Sequence, residues 1–228
     1  MEQNEKQTQT PDAMAPLAAA GTLSELLKDP GRFAYGVCNG DGVALSVRTV
    51  LAGIAGHALF GLAAGFFAGP VVALLDAVKG AGIALFSFML CLPSLYVFAC
   101  ISGTSLAFTQ IVAAGGACLA MTGLMLAALA PVLWLFAVSS GSVAFVTVLT
   151  FALAFLSAFF ALRPARALAS VGAVKSLAGL RVWFVVLVVV SLQMVTLLRP
   201  MLAAKKPDAG PAAKCFFLSH FANVVFDD

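Results

Sequence analysis

Residues 111–137 read IVAAGGACLAMTGLMLAALAPVLWLFA and contain no charged side chain. An α-helix rises about 1.5 Å per residue, so about 20 apolar residues cross the roughly 30 Å hydrocarbon core of a bilayer. The stretch exceeds that length, and a helix that is apolar on every side is buried either in lipid or in the core of a large protein. The sequence therefore predicts a transmembrane helix here.

The sequence on both sides has the same character. Between Thr49 and Leu162 the only charged residues are Asp76 and Lys79. Over all 228 residues, 62% are hydrophobic and 10% are charged, and the mean hydropathy is +1.05. Soluble domains carry about 25% charged residues, which they need to cover their surface. This composition excludes a soluble globular protein and predicts an all-α, polytopic transmembrane helical bundle.

Five apolar runs are long enough to cross a bilayer. Asp76, Lys79 and Gly80 indicate a tight turn between the first two runs, and the short polar sequence at 139–142 predicts a hairpin between the third and the fourth. We expect a transmembrane domain at 49–199, with spans at about 49–74, 81–101, 111–137, 143–162 and 180–198.

The segment before the first span contains a helix signal. Thr22 and Glu25 have the spacing of a capping box, and Pro30 indicates the end of a short amphipathic helix, which suits the membrane surface. An ordinary capped linker helix is the alternative. The next segment, 36–42 (GVCNGDG), predicts a turn-rich connector.

The two ends of the chain are more polar than the spans. Residues 1–20 lack the apolar segment of a signal peptide and predict a disordered tail. The expected organisation is this tail, a juxtamembrane segment at 21–48, the transmembrane domain at 49–199 and a C-terminal tail at 200–228.

Five spans place the two termini on opposite sides of the membrane. The side of the N-terminus carries six basic residues, Arg32, Arg48, Arg163, Arg166, Lys175 and Arg181. The other side carries five, Lys79, Arg199, Lys205, Lys206 and Lys214. Basic residues are enriched in cytoplasmic loops, so six against five favours a cytoplasmic N-terminus by one residue.

A stripe of small residues runs along the first predicted span. Gly53, Gly61, Gly65 and Gly69 recur at every fourth position, with His57 in the second place. Small residues at this spacing let two helix backbones approach closely in lipid. We interpret the stripe as a helix-packing seam, within the protein or between copies. In a chain with 20 glycines, a chance stripe is the alternative.

His57 is an ionisable residue inside a predicted span, which makes it a candidate proton relay or ligand. Apart from Arg181, at the very start of the fifth, no Asp, Glu, Lys or Arg lies in another predicted span to pair with it. We therefore favour the alternative, a neutral histidine bonded to a hydroxyl or carbonyl group.

Four further residues interrupt the apolar spans. Pro93 and Pro131 predict kinks, because each removes a backbone hydrogen bond. Gln110 and Gln193 predict hydrogen bonds between helices. Together these residues are candidates for lining a path, as in transporters, and structural kinks are the favoured alternative.

The sequence carries no signal of catalysis or of a bound cofactor. It contains no HExxH motif, no phosphate-binding loop and no paired carboxylates in a span. Its five cysteines form no CxxC pair and are interpreted as small buried hydrophobic residues. The net charge of +3 is too small to indicate nucleic acid. We expect a protein without catalytic residues, metal site or cofactor.

The segment Leu92-Pro-Ser-Leu-Tyr-Val-Phe98, with the following Gly103, Leu106, Phe108 and Gln110, resembles a group of uncharacterised bacterial multipass membrane proteins. Those proteins carry an LPSLYVF segment that leads to a GS-x-L-x-F-x-Q connector. Further matching residues are Ala130-Pro131, Leu27-Lys-Asp-Pro30, Phe33, Gln193-Met194, Leu198-Arg-Pro200 and Phe216-Phe-Leu-Ser-His220.

The chain also loosely resembles the five-span Yip family of membrane proteins. Ala99 stands where the bacterial group more often has Asn, and the acidic, glycine-rich segment of the Yip family is absent. The resemblance implies a multipass helical fold and no activity.

These observations together predict a non-catalytic protein of the bacterial cytoplasmic (inner) membrane. We expect it to act as a scaffold or accessory subunit that contacts membrane lipids and a membrane-protein partner, or a second copy of itself. The alternative is a small transporter or channel-like protein, for lipid or apolar solutes, with a path near Pro93, Pro131, Gln110 and Gln193.

Overall fold

The computed structural model describes residues 22–39, 42–170, 175–176 and 178–197, and within these ranges the chain is helical and has no strand. The described helices are α1 (Thr22–Lys28), α2 (Pro30–Asn39), α3 (Gly42–Gly65), α4 (Pro70–Ile101), α5 (Phe108–Ser139), α6 (Val143–Phe160), α7 (Arg163–Ser170) and α8 (Ala178–Leu197). Five of them, α3, α4, α5, α6 and α8, are long and apolar enough to cross a membrane. The predicted all-α polytopic bundle is confirmed. The predicted tails at 1–20 and 200–228 lie outside the described residues.

Helix α3 occupies the centre of the bundle. It packs along α5, which runs parallel to it, and against α4, which runs antiparallel. Helix α6 packs against α5, and α8 packs against α4. We call the end of the bundle that carries α1, α2 and α7 the proximal end. The opposite end, with the turns at 66–69 and 140–142, is the distal end.

Two clusters of buried apolar side chains hold the helices together. The larger joins α1, α2 and α7 to the central helices and α8, with Phe33, Phe88, Leu95, Leu168 and Trp183 among its fully buried members. The smaller lies towards the distal end and joins α3, α5 and α6 through Phe60, Leu126, Leu133 and Val146. The short proximal helices are therefore part of the folded core.

The predicted turn at Asp76, Lys79 and Gly80 is wrong. The first transmembrane helix ends in a single 3-10 turn, Phe66–Ala68, and the chain reverses at Gly69, whose φ of 114° favours glycine. Pro70 then begins α4, because its fixed φ suits the first turn of a helix. The first span therefore ends earlier than the expected 49–74, and the second begins earlier than 81–101.

The connector predicted at 36–42 is also wrong over its first four residues. Asp29 Oδ1 accepts hydrogen bonds from the backbone N–H groups of Gly31 and Arg32, each at 3.1 Å, and so caps a second helix. Phe33 and Val37 are fully buried and lie one turn apart on one face of this helix. Burial of that face favours the helix over a turn.

The remaining boundaries differ less from the prediction. Helix α5 ends at Ser139 and α6 begins at Val143, so the predicted hairpin is present. The segment between the predicted fourth and fifth spans contains the helix α7. The fifth span was expected at 180–198 and is the helix Ala178–Leu197.

Candidate functional site

The glycine stripe of α3 is shared between two neighbouring helices. Gly53 faces α5, and a Cβ added to it would come within 2.9 Å of the Leu119 carbonyl oxygen. Gly61 and Gly65 face α4, and a Cβ on Gly61 would overlap the Asp76 carbonyl oxygen. Gly69 lies outside these contacts, in the turn, with no atom within 4 Å of an added Cβ. The described contacts of the first three glycines lie within one chain.

The closest approach of α3 and α5 involves two glycines that the four-residue spacing does not include. A Cβ on Gly56 would overlap the carbonyl group of Gly123, and a Cβ on Gly123 would lie 2.5 Å from the Gly53 carbonyl oxygen. Gly116, seven residues before Gly123, faces Thr49 in the same way. The seven-residue spacing in α5 and the Gly53-x-x-Gly56 spacing in α3 are the sequence signals that could have identified this contact.

His57 is bonded to its own helix. Its Nδ1 lies 2.7 Å from the Gly53 carbonyl oxygen. Because a carbonyl oxygen only accepts, Nδ1 carries the proton of this bond, and in the neutral ring Nε2 is then the acceptor. The backbone carbonyl oxygen of His57 in turn faces Gly80 of α4. The bond to Gly53 therefore fixes which ring nitrogen is protonated.

An ion pair lies inside α4. Lys79 Nζ donates to Asp76 Oδ1 at 3.0 Å, with Asp76 fully buried and the Lys79 side chain 22% exposed. Residues three apart lie on the same face of a helix, which allows the contact. A single charge in the hydrocarbon core is costly, and pairing compensates part of that cost. The pair therefore allows two charged residues inside a membrane-spanning helix.

The ion pair and His57 lie at the same crossing of α3 and α4. The Asp76 backbone contacts Gly61, which follows His57 by one helical turn, and Gly80 contacts the His57 backbone. The sequence interpretation missed this polar group, because Asp, Lys and Gly together are typical of a turn. The proline six residues before Asp76 and the three-residue spacing of the pair are the signals that could have identified it.

The predicted kink residues do not point into the bundle. Pro93 in α4 and Pro131 in α5 are both exposed, on faces directed away from the central helix. Each lies inside a helix that continues on both sides of it. Neither side chain lines an internal space.

The two glutamines lie far apart along the bundle. Gln110, at the proximal end, accepts a hydrogen bond from Ala107 N and donates one to the Cys38 carbonyl oxygen, each at 2.9 Å. It therefore ties α2 to the start of α5. Gln193 lies on the peripheral helix α8, about four residues before its distal end. The four residues proposed to line a path are thus not brought together.

Two small apolar cavities lie between α4, α5, α7 and α8. Their volumes are about 10 and 20 Å³, so each has room for about one water molecule. Both are lined by Leu95, Ala114, Leu168 and Leu180. Beside the first, the buried Trp183 Nε1 donates to the Cys91 carbonyl oxygen at 3.0 Å. Their lining is almost entirely apolar, with Thr104 in the second cavity as the exception, so they offer little to a polar solute.

The described residues contain no group of three or more His, Cys, Asp or Glu side chains that could hold a metal ion. Ser142 accepts a hydrogen bond from Phe145 N at 3.3 Å and so caps α6. At the proximal end, burial raises the pKa of the Cys38 thiol. Comparisons of this chain with protein-family models, with curated proteins and with solved structures gave no match.

Proposed function

We propose that this protein is a non-catalytic scaffold or accessory subunit of a complex in the bacterial cytoplasmic membrane. The observation that carries the proposal is the packing of α3, whose glycines bring its backbone against α4 on one side and α5 on the other. Such contacts leave no room for a solute and fix the relative positions of three spans. A rigid bundle of this kind is suited to holding partners in place.

The peripheral helices supply surfaces for such partners. Helices α6 and α8 each rest mainly on one central helix, and their outer faces carry large apolar side chains. Phe155 of α6 is 76% exposed and Val185 of α8 is 61% exposed. In a bilayer these faces meet either lipid or the helices of another protein. The bacterial location rests on the resemblance of the segment at 92–98 to bacterial multipass proteins.

Site-specific crosslinking tests the scaffold proposal in the native membrane. A photoreactive amino acid would replace Phe155 or Val185, with Val71, which is 73% exposed on α4, as a third position. Purification in a mild detergent and mass spectrometry would then identify the adducts. We expect one partner protein, copurified in a fixed ratio and crosslinked from one face only. Crosslinks to lipid alone from all three positions would contradict the proposal.

The alternative, a small transporter, is favoured by one observation, the polar group of His57, Asp76 and Lys79 at a single helix crossing. Charged residues inside spans often mark ion or proton pathways. Reconstitution into liposomes under a pH gradient distinguishes the two functions. A proton-dependent flux that is lost in His57→Gln would support transport, whereas the scaffold proposal expects the same leak as in empty liposomes.

A further inference from the structure

The helix α7 divides sharply into an apolar and a basic face. Its buried residues are Pro164, Ala165, Ala167 and Leu168. Arg163 and Arg166 are both exposed on the opposite face. Because the apolar face packs against α2 and α5, the two guanidinium groups are held on the outside of the proximal end.

An aromatic contact holds Arg163 of this basic face next to the end of α6. The guanidinium carbon of Arg163 lies 5.0 Å from the centroid of the Phe160 ring, a cation–π distance. Phe160 is the last residue of α6. The positive charge therefore lies next to the end of α6, in the proximal part of the fourth candidate span, Val143–Leu168, where lipid headgroups are expected.

Two further basic residues lie at the same end. The backbone N–H groups of Lys175 and Ser176 both donate to the Ser102 carbonyl oxygen at 3.2 Å, which fixes the position of Lys175. Arg181 is exposed at the start of α8. Helices α7 and α8 are neighbours here, because Leu168 and Leu180 line the same cavity. We use the name basic cluster for four exposed basic residues of this end, Arg163, Arg166, Lys175 and Arg181, which lie on α7, on the segment 175–176 and at the start of α8.

The described residues near the basic cluster include no acidic side chain that pairs with it. The sequence contains no Asp or Glu between residues 77 and 207. At the proximal end, Glu25 pairs with Arg32 at 3.4 Å, and Asp29 caps α2. Among the described residues, no carboxylate lies within 4.0 Å of a basic group of the cluster. Within the part of the chain that the structure describes, these four cations therefore have no carboxylate partner.

We propose that the basic cluster binds the phosphate headgroup of an anionic phospholipid. Exposed apolar side chains follow towards the membrane core on the same helices: Phe159, four residues before Arg163, is 70% exposed, and Val185, one helical turn after Arg181, is 61% exposed. This order, basic groups above an exposed apolar surface, matches a headgroup with its acyl chains. A soluble anion would use only the charges. The inference is independent of the scaffold proposal.

Binding of phosphatidylglycerol by the full chain tests the inference. The apparent Kd would be measured by native mass spectrometry in detergent, with phosphatidylcholine as the zwitterionic comparison. The test variant is Arg163→Gln with Arg166→Gln. The matched control is Lys28→Gln with Arg48→Gln, which removes the same number of charges from the proximal end. We expect the affinity for phosphatidylglycerol to fall by about tenfold or more in the test variant, and by much less in the control.

Four outcomes separate this site from a general effect of charge. Equal losses in the two double variants, or no preference for phosphatidylglycerol in the unmodified protein, would overturn the inference. Displacement of the lipid by millimolar inorganic phosphate would also overturn it, because the acyl chains would then contribute nothing. Retained affinity in Arg163→Lys with Arg166→Lys would support it, because this variant keeps both positive charges. Equal thermal unfolding midpoints of the two glutamine double variants would show that they can be compared as folded proteins.

Discussion

At the scale of single residues, the packing of the helices depends on glycines, because a residue without a side chain lets two backbones approach closely. Gly56 and Gly123 allow the backbones of α3 and α5 to touch, so the contact has no side chain that could yield to an added methyl group. Gly82 of α4 differs, because a Cβ there would meet only the Phe86 ring at 3.9 Å. The structural importance of a glycine in this protein therefore depends on its neighbour across the helix interface.

This difference predicts the effects of two identical substitutions. Gly56→Ala should lower the free energy of unfolding by about 1–3 kcal/mol, because the added methyl group forces the two backbones apart. Gly82→Ala is the control and should leave stability nearly unchanged or slightly increased, because Ala favours the helix. Thermal unfolding of the two purified variants in the same detergent would measure the effect. Equal midpoints would show that the α3–α5 contact does not limit stability.

At the scale of the helix, the features that depend on hydrophobicity alone could be predicted from the sequence. The number of spans and the hairpin at 140–142 follow from apolar length and polar interruptions. The turn at Asp76 was misplaced because its charges are paired inside α4, and hydropathy does not report pairing. Helix α2 was missed because burial of Phe33 against the bundle outweighs local turn signals.

The candidate site, too, could be predicted from the sequence only in part. The stripe from Gly53 to Gly65 is visible in the sequence, but which helix each glycine contacts depends on how the spans are arranged. Gln110 was expected to join helices, and it does join α5 to α2, although α2 itself was not predicted. Long-range contacts of this kind have no local pattern in the sequence.

Helix α8 allows a prediction about how a peripheral element is attached. Its main contact is α4, and the buried indole of Trp183 bonds to the Cys91 carbonyl oxygen. Trp183→Phe keeps an aromatic ring but removes the N–H group, which should destabilise the docking of α8 by about 1–2 kcal/mol. Hydrogen exchange should then increase in α8 before it increases in α3. Trp134→Phe is the matched control, because Trp134 is 47% exposed, and it should leave exchange in α8 unchanged.

At the scale of the whole molecule, the structure alters the charge count that determines orientation. Lys79 lies nine residues after the start of α4, about 14 Å along the helix, and is paired with Asp76. It therefore does not act as a loop charge. The distal turns at 66–69 and 140–142 contain no charged residue. The proximal end carries the six basic residues counted above on the side of the N-terminus and also Lys28, at the end of α1, which that count left out.

The basic residues near the spans then number seven at the proximal end, against Arg199, Lys205, Lys206 and Lys214 after the last span. Because basic loops are retained in the cytoplasm, we predict that the proximal end is cytoplasmic and that the turn at 140–142 faces outwards. Gly141→Cys and Ser105→Cys, each in a background whose five cysteines are replaced by alanine, would report the two sides. Both positions are exposed, and an added Cβ at Gly141 meets no atom within 4 Å.

A membrane-impermeant maleimide should label the cysteine at 141 in intact cells and the cysteine at 105 only after the cells are permeabilised. The reverse pattern would mean that the proximal end faces outwards, and it would place the basic cluster away from the anionic cytoplasmic leaflet. Lipid binding in detergent would survive that result, because it depends only on the positions of the charges. The labelling experiment therefore tests the orientation separately from the binding site.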